Sequence, residues 1–174
     1  MSYGQRPFGL RDVKLVSIGG TPTQVDLPAA RTLSFNERVK SGELSGDDKT
    51  IAVVAFSDAI EWEMEAGGIS LEAYALMTGR TVTEEGTTPS QTRTLTGSGG
   101  LEVFPYFKIY GKSVGDGADD IHVKIFKAKL TNIQGQLGDG EFWVTQASGI
   151  AIDDGTNGLF EIVQHEQAED LPAT

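Results

Sequence analysis

The stretches Arg31-Thr32-Leu33-Ser34-Phe35-Asn36-Glu37-Arg38-Val39 and Ile60-Glu61-Trp62-Glu63-Met64-Glu65 alternate apolar and polar residues almost one by one. A β-strand sends successive side chains to opposite faces, so a period of two predicts strands with one buried and one solvated face. Leu33, Phe35 and Val39 share one face of the first stretch, against Thr32, Ser34, Asn36 and Arg38. In the second, Trp62 and Met64 oppose Glu61, Glu63 and Glu65. Residues 50–56 are apolar on both faces and read as a buried strand.

Working outward, residues 13–18, 92–96, 101–110, 121–130, 142–152 and 160–163 form further β-rich runs. Pro105 lacks an N–H, so its strand is expected at an edge or bulged there. Glycine makes up 22 of 174 residues, about an eighth against an average of about 7%. Most of these glycines recur at turn spacing for an all-β domain. One segment breaks the pattern. Residues 70–78 are rich in helix formers, with Ser70 placed to cap the start, Glu72 in the first turn and Gly79 at the end. Leu71, Tyr74, Ala75 and Thr78 share a helical face suited to a sheet. The expected fold is mainly β, a sandwich or partial barrel with one short flanking α-helix over about 70–78. No repeat or low-complexity linker divides the chain, so residues 1–174 are expected as a single domain with possible flexible arms at 1–11 and 164–174.

The composition, with 39% hydrophobic and 22% charged residues, is that of a globular chain rather than a disordered one. With 14 Lys+Arg against 25 Asp+Glu the net charge is −11, a poor balance for gripping nucleic acid, which needs clustered cations. No apolar run is long enough to suggest a membrane helix. Residues 1–10 lack the apolar core of a secretory signal. The absence of cysteine excludes disulfides and thiolate chemistry.

Catalytic signatures fail as well. Gly97-Ser98-Gly99-Gly100 has its glycines at the wrong offsets for a nucleophile elbow and reads as a flexible turn. No phosphate loop or dinucleotide glycine triplet is present. His122 and His165 are more than forty positions apart, and neither is expected near a second imidazole. Residues 116–120 carry calcium-friendly oxygens without the spacing of an EF-hand loop, and read as a solvated turn. Glu61, Glu63 and Glu65 form a carboxylate row on one strand face, which does not make the facing pair of a glycosidase. No catalytic, cofactor-binding or metal-ligating residue is therefore expected. Charge is nonetheless unevenly placed. Residues 41–48 are acidic and broken by glycine, while Lys108, Lys112, Lys124, Lys127 and Lys129 concentrate elsewhere. Such asymmetry can supply complementary faces for self-association.

Residues 33–38, 42–48 (Gly-Glu-Leu-Ser-Gly-Asp-Asp) and 61–79 resemble the tail tube proteins of tailed bacteriophages. The runs Pro105-Tyr106-Phe107-Lys108-Ile109-Tyr110-Gly111-Lys112 and 121–130 fit the same resemblance, which covers most of the chain. The motifs are patterns of strand, glycine and one helix, and none is catalytic.

The resemblance implies a β-sandwich whose subunits form hexameric rings, stacked into a hollow tube through which DNA passes without specific binding. It implies as partners further copies of this chain and tape-measure, tail-tip and tail-terminator proteins. It places the protein in the virion tail tube after synthesis in the bacterial host cytoplasm, with no membrane role, no cofactor and no catalysis. An extended loop reaching the adjacent ring corresponds to Gly42, Glu43, Leu44, Ser45, Gly46, Asp47 and Asp48. These residues would dock near the lysine-rich region of a neighbour. Carboxylates facing the channel would repel phosphate; the candidates are Glu61, Glu63, Glu65, Asp116, Asp119 and Asp120. A contractile tail or type VI-like injection tube shares the architecture. A carbohydrate-binding sandwich, with Trp62, Trp143, Tyr106 and Tyr110 as stacking platforms, and a sandwich glycosidase are the readings of other classes.

Overall fold

A computed structural model describes residues 7–27, 29–46, 48–68, 70–100, 102–115 and 119–172. Its strands are β1 (Phe8–Ser17), β2 (Gln24–Asp26), β3 (Ala30–Gly46), β4 (Lys49–Gly67), β5 (Val82–Glu85), β6 (Thr92–Leu95), β7 (Tyr106–Val114), β8 (Asp120–Gln136), β9 (Val144–Ala151) and β10 (Phe160–His165). One helix, α1 (Leu71–Thr78), lies between β4 and β5. Apart from the small β5–β6 hairpin, all strands belong to one antiparallel sheet in the order β2-β1-β7-β8-β9-β4-β3, with β10 also on β8. The expectation of a mainly β, open sandwich with one short helix is met.

The long strand β8 makes a sandwich out of a single sheet. It pairs with β7 over Asp120–Lys129 and with β9 over Ala128–Gln136, so its two halves serve different parts of the sheet. The β3-β4-β9 side then packs on the β1-β7 side. Ile60, Ala151, Ala128 and Phe107 lie opposite one another in turn across four strands, and all are fully buried. Trp62 meets Phe107 edge-on, with ring centroids 5.7 Å apart, and Phe35 packs on Phe160 at 5.5 Å. The alternation in 60–65 is thus read correctly: Trp62 and Met64 are in the core, and Glu61 and Glu63 are outside.

Several boundaries and faces differ from expectation. Residues 102–105 are not strand, and Pro105 immediately precedes β7, a central strand whose register shifts between Phe107 and Ile109. A proline before the first ladder position costs no hydrogen bond. Helix α1 has the expected ends, with the Ser70 hydroxyl accepting from the Ala73 N–H at 3.2 Å and Gly79 left-handed at φ 74. It buries Ala73, Met77 and Thr78; of the expected face of Leu71, Tyr74, Ala75 and Thr78, Thr78 is buried and the other three are half-buried. The β5–β6 hairpin holds its other side, where Arg93 bonds both Glu84 (2.8 Å) and Glu72. The two end segments are not free arms throughout. Strand β1 starts at Phe8, β10 runs to His165, and Leu171 is buried.

One glycine is fixed by packing. A Cβ on Gly149 would sit 2.0 Å from the Lys129 carbonyl oxygen and 2.7 Å from Trp62 Cζ2. Neither backbone nor a buried indole can yield cheaply. Gly149→Ala is expected to destabilise the protein by at least about 2 kcal/mol, measured by urea denaturation.

Candidate assembly surface

Strands β3 and β4 form one hairpin, paired from Ala30 with Ala66 to Gly46 with Lys49. Its turn carries Asp48 at φ 62, and Asp47 lies outside the described residues. Strand β9 supports β4 only from Ile60 to Gly67. Among the described residues, no further strand pairs with the hairpin beyond Ile60, and residues 49–56 of β4 are exposed. Eight residues of β3, 39–46, project as an arm of roughly 26 Å at the usual strand rise.

The apolar stretch in this arm is not a buried strand, contrary to the reading of 50–56. Val39, Leu44, Ile51, Val53, Val54 and Phe56 are between 57% and 67% exposed. The register pairs Phe56 with Lys40, Val54 with Gly42 and Ala52 with Leu44 on one face, and Val53 with Glu43 and Ala55 with Ser41 on the other. Both faces of the arm are therefore apolar along β4 and polar along much of β3. Residues 42–46 are thus paired strand rather than an open loop.

At the root of the arm, the pairing passes from Arg38–Ala59 to Val39–Ser57, leaving Asp58 as the extra residue of a bulge. The Arg38 guanidinium donates to both Asp58 oxygens at 3.0 Å, and Lys40 Nζ lies 2.5 Å from the same carboxylate. Hydrogen bonds from Arg38 and then Lys40 hold the Asp58 carboxyl well below the usual carboxylate range. Nothing in the sequence pattern marks this bulge.

The carboxylates expected at a channel divide by position. Glu61 and Glu63 are exposed on the outward sheet face, beside Ser34, Asn36, Thr131 and Ser148. Glu65 is half-buried and held by Arg31 (3.0 Å) and Gln146 (3.2 Å). Asp119 and Asp120 are buried within the subunit, which corrects their reading as part of a solvated turn and as channel-facing candidates, and Asp116 lies outside the described residues. The lysines divide similarly. Lys112 bonds Asp120 at 3.0 Å and Lys124 bonds Glu161 at 3.0 Å within the subunit. Lys127 and Lys129 lie over the Tyr106 ring, 5.2 and 4.7 Å from its centre. Because Glu61 pairs with Ile150, Ile150 with Lys129 and Lys129 with Tyr106, the acidic and basic sets share one sheet face. Lys108 belongs to that face too, two residues beyond Tyr106 on β7.

Of the four aromatic residues considered as stacking platforms, Trp62 is in the core and cannot serve, and the Trp143 indole N–H donates to Thr145 Oγ1 at 3.0 Å. The two histidines, expected apart, have ring centroids 4.4 Å from each other. Antiparallel pairing of β8 with β10 cancels their distance in sequence.

The molecule is an open β-sandwich bearing an unsupported two-stranded arm. No family model matches the chain, and no curated protein matches it. Among solved structures it is similar to a chain of the anti-feeding prophage (AFP) baseplate, determined by 6-fold symmetrised cryo-EM. The TM-score is 0.47 and the identity 10%, over 94% of this chain and 97% of that one. Among the described residues, no helix is long and apolar enough to cross a membrane.

A depressed carboxyl pKa stabilises the folded state above the unfolded value and ceases to do so as pH falls through the folded one. The carbon resonance of the Asp58 carboxyl is expected to titrate below about 3.9, and Arg38→Gln is expected to move the midpoint up. Asp58→Asn should accelerate amide exchange around 38–40 and 57–59 while leaving the core strands protected.

Proposed function

We propose that this chain is a non-catalytic structural subunit. Copies assemble into rings that stack as a hollow tube, a conduit for DNA in a phage tail or a related injection system. The observation that carries this reading is the arm, whose two apolar faces and two free edges have nothing among the described residues to cover them. An element apolar on both sides fits a seat between two neighbouring surfaces, as an adjacent ring provides.

A second copy is the favoured occupant because each subunit also offers open sheet edges, on β2 and β3. Unpaired N–H and C=O groups along such edges are satisfied by another strand, and repeating that contact around an axis closes a ring. Magnitudes support a shared role for arm and edges. Finishing the burial of six apolar side chains, already about two-fifths covered, yields roughly 5–10 kcal/mol. Immobilising a subunit costs about 4–15 kcal/mol. The arm alone therefore sits near balance, and edge pairing or a preformed end tips assembly forward.

Glu61 and Glu63 are the carboxylates placed to face the channel in this reading, where they repel phosphate. Lys108, Lys127 and Lys129, free of carboxylate partners in the ion pairs described above, are the cations left for a neighbouring subunit's acidic segment. The tube stands in the virion tail, with tape-measure, tail-tip and tail-terminator proteins as its further partners. The tube of a contractile or type VI-like injection system would use the same contacts.

The test places one charge on each face of the arm. Wild-type protein at high concentration, offered a tail-tip nucleus, is expected to give rings or tubes in negative-stain micrographs. Val53→Asp and Val54→Asp should each stay dispersed in sedimentation velocity, with thermal unfolding within a few degrees of wild type because the positions are exposed. Dispersed wild type under those conditions, or normal tubes from both variants, would overturn the proposal.

A further inference from the structure

The histidine pair belongs to a second feature that self-assembly does not use. Asp120 and His122 stand two residues apart on β8, and His165 lies directly opposite Asp120 on β10. All three side chains therefore project from the same face. Elsewhere that face is solvated, but here the segment after β10 folds over it. The Glu169 N–H donates to Asp120 Oδ2 at 2.7 Å, and Leu171, two residues on, is buried. Asp120 and His122 are at least 98% buried as a result, and His165 is partly buried. One ligand atom from each residue lies within 4.8 Å of the other two.

Each of the three has one side tied and the other left over. Asp120 Oδ2 is taken by the Glu169 N–H and by Lys112 Nζ at 3.0 Å, while Oδ1 has no hydrogen-bond partner. His165 Nδ1 faces Glu169 Oε2 at 3.2 Å, while its Nε2 has no partner. The His122 ring shares a backbone hydrogen bond with Glu169, while its Nε2 has no partner and lies 3.5 Å from Asp120 Oδ2. A buried polar atom without a partner costs free energy, and three within one side-chain cluster need a common explanation. In metal centres the ligating imidazole commonly donates its far N–H to a carboxylate or carbonyl, which fixes the ring with its other nitrogen toward the ion. Glu169 supplies that outer support to all three residues, through its N–H, its backbone hydrogen bond to His122 and its carboxylate.

We propose that Asp120 Oδ1, His122 Nε2 and His165 Nε2 bind a divalent cation of the zinc type, which ties the start of β8 to the end of β10 beneath the segment that follows. Two imidazoles with one carboxylate suit a borderline ion such as Zn2+ over Ca2+ or Mg2+, which take oxygen ligands. Three protein ligands leave a fourth position for water. The charge of Lys112, which pairs with Asp120 Oδ2, is offset by the nearby carboxylates of Glu169 and Asp170. An approach of the ligand atoms by up to about 1.5 Å, within side-chain rotation, reaches the separations of about 3.3 Å between ligands of a tetrahedral site. Binding confined to the folded state raises stability by mass action.

The chain has two histidines and no cysteine, so no other imidazole pair competes for the ion. Tag-free, EDTA-stripped protein is titrated with Zn2+ by calorimetry and with Co2+ by visible absorption. The expected result is one saturable ion per chain, Co2+ bands of a low-coordinate site, and a melting temperature raised by Zn2+. His165→Gln, at the least buried ligand, should fold as wild type does but lose the Co2+ bands and the thermal shift. Glu169→Gln should weaken Zn2+ binding by about tenfold or more. Absence of saturable Zn2+ binding by wild type, or undiminished binding by folded His165→Gln, would overturn the assignment.

Discussion

A strand is stable in water when something occupies its edges and its apolar face, and β4 outruns everything that could do so. Its inner half has β9 on one side, β3 on the other and the core beneath Trp62 and Met64. Its outer half keeps the same apolar character with β3 as its single strand neighbour among the described residues. The rest of the molecule is arranged around that mismatch. The sandwich anchors one end of the hairpin firmly, and the Asp58 bulge with its two cations sets the direction in which the other end leaves. The chain thus presents an incomplete layer on a rigid mount, which is what repeated self-association requires.

Strand β8 has an equally general role. By serving β7 along one half and β9 along the other, it turns one sheet into two layers and places an acidic group and a basic group on a single outward face. Its first residues have a separate task, because the turn of the chain after β10 buries Asp120 and His122 there. One strand therefore connects the core, the candidate channel face and the candidate ion site, and substitutions along it should be read with all three in mind.

The sequence reveals the body of this fold more readily than its extremity. Alternation at 60–65 reports a face covered by the chain's own core, and the structure agrees residue by residue. Apolar residues on both faces at 50–56 report only that both want covering. A strand buried within its own chain and one left for another chain have the same pattern. The distinguishing signal was in the partner strand, where Lys40, Ser41, Gly42, Glu43 and Ser45 are too polar for the middle of a core. The face of α1 was misjudged because the β5–β6 hairpin, not the sheet, packs on part of it. The histidine pair was invisible for a related reason: separation along the chain carries no information until the β8–β10 register is known.

The most direct test of the central claim follows the arm itself. Hydrogen–deuterium exchange is compared across residues 39–57 in dispersed protein and in protein sedimented as higher assemblies. The account predicts rapid exchange in this segment of the dispersed form, against slow exchange at 60–67, and strong protection of both on assembly. Equal protection of the arm in the two forms would contradict it.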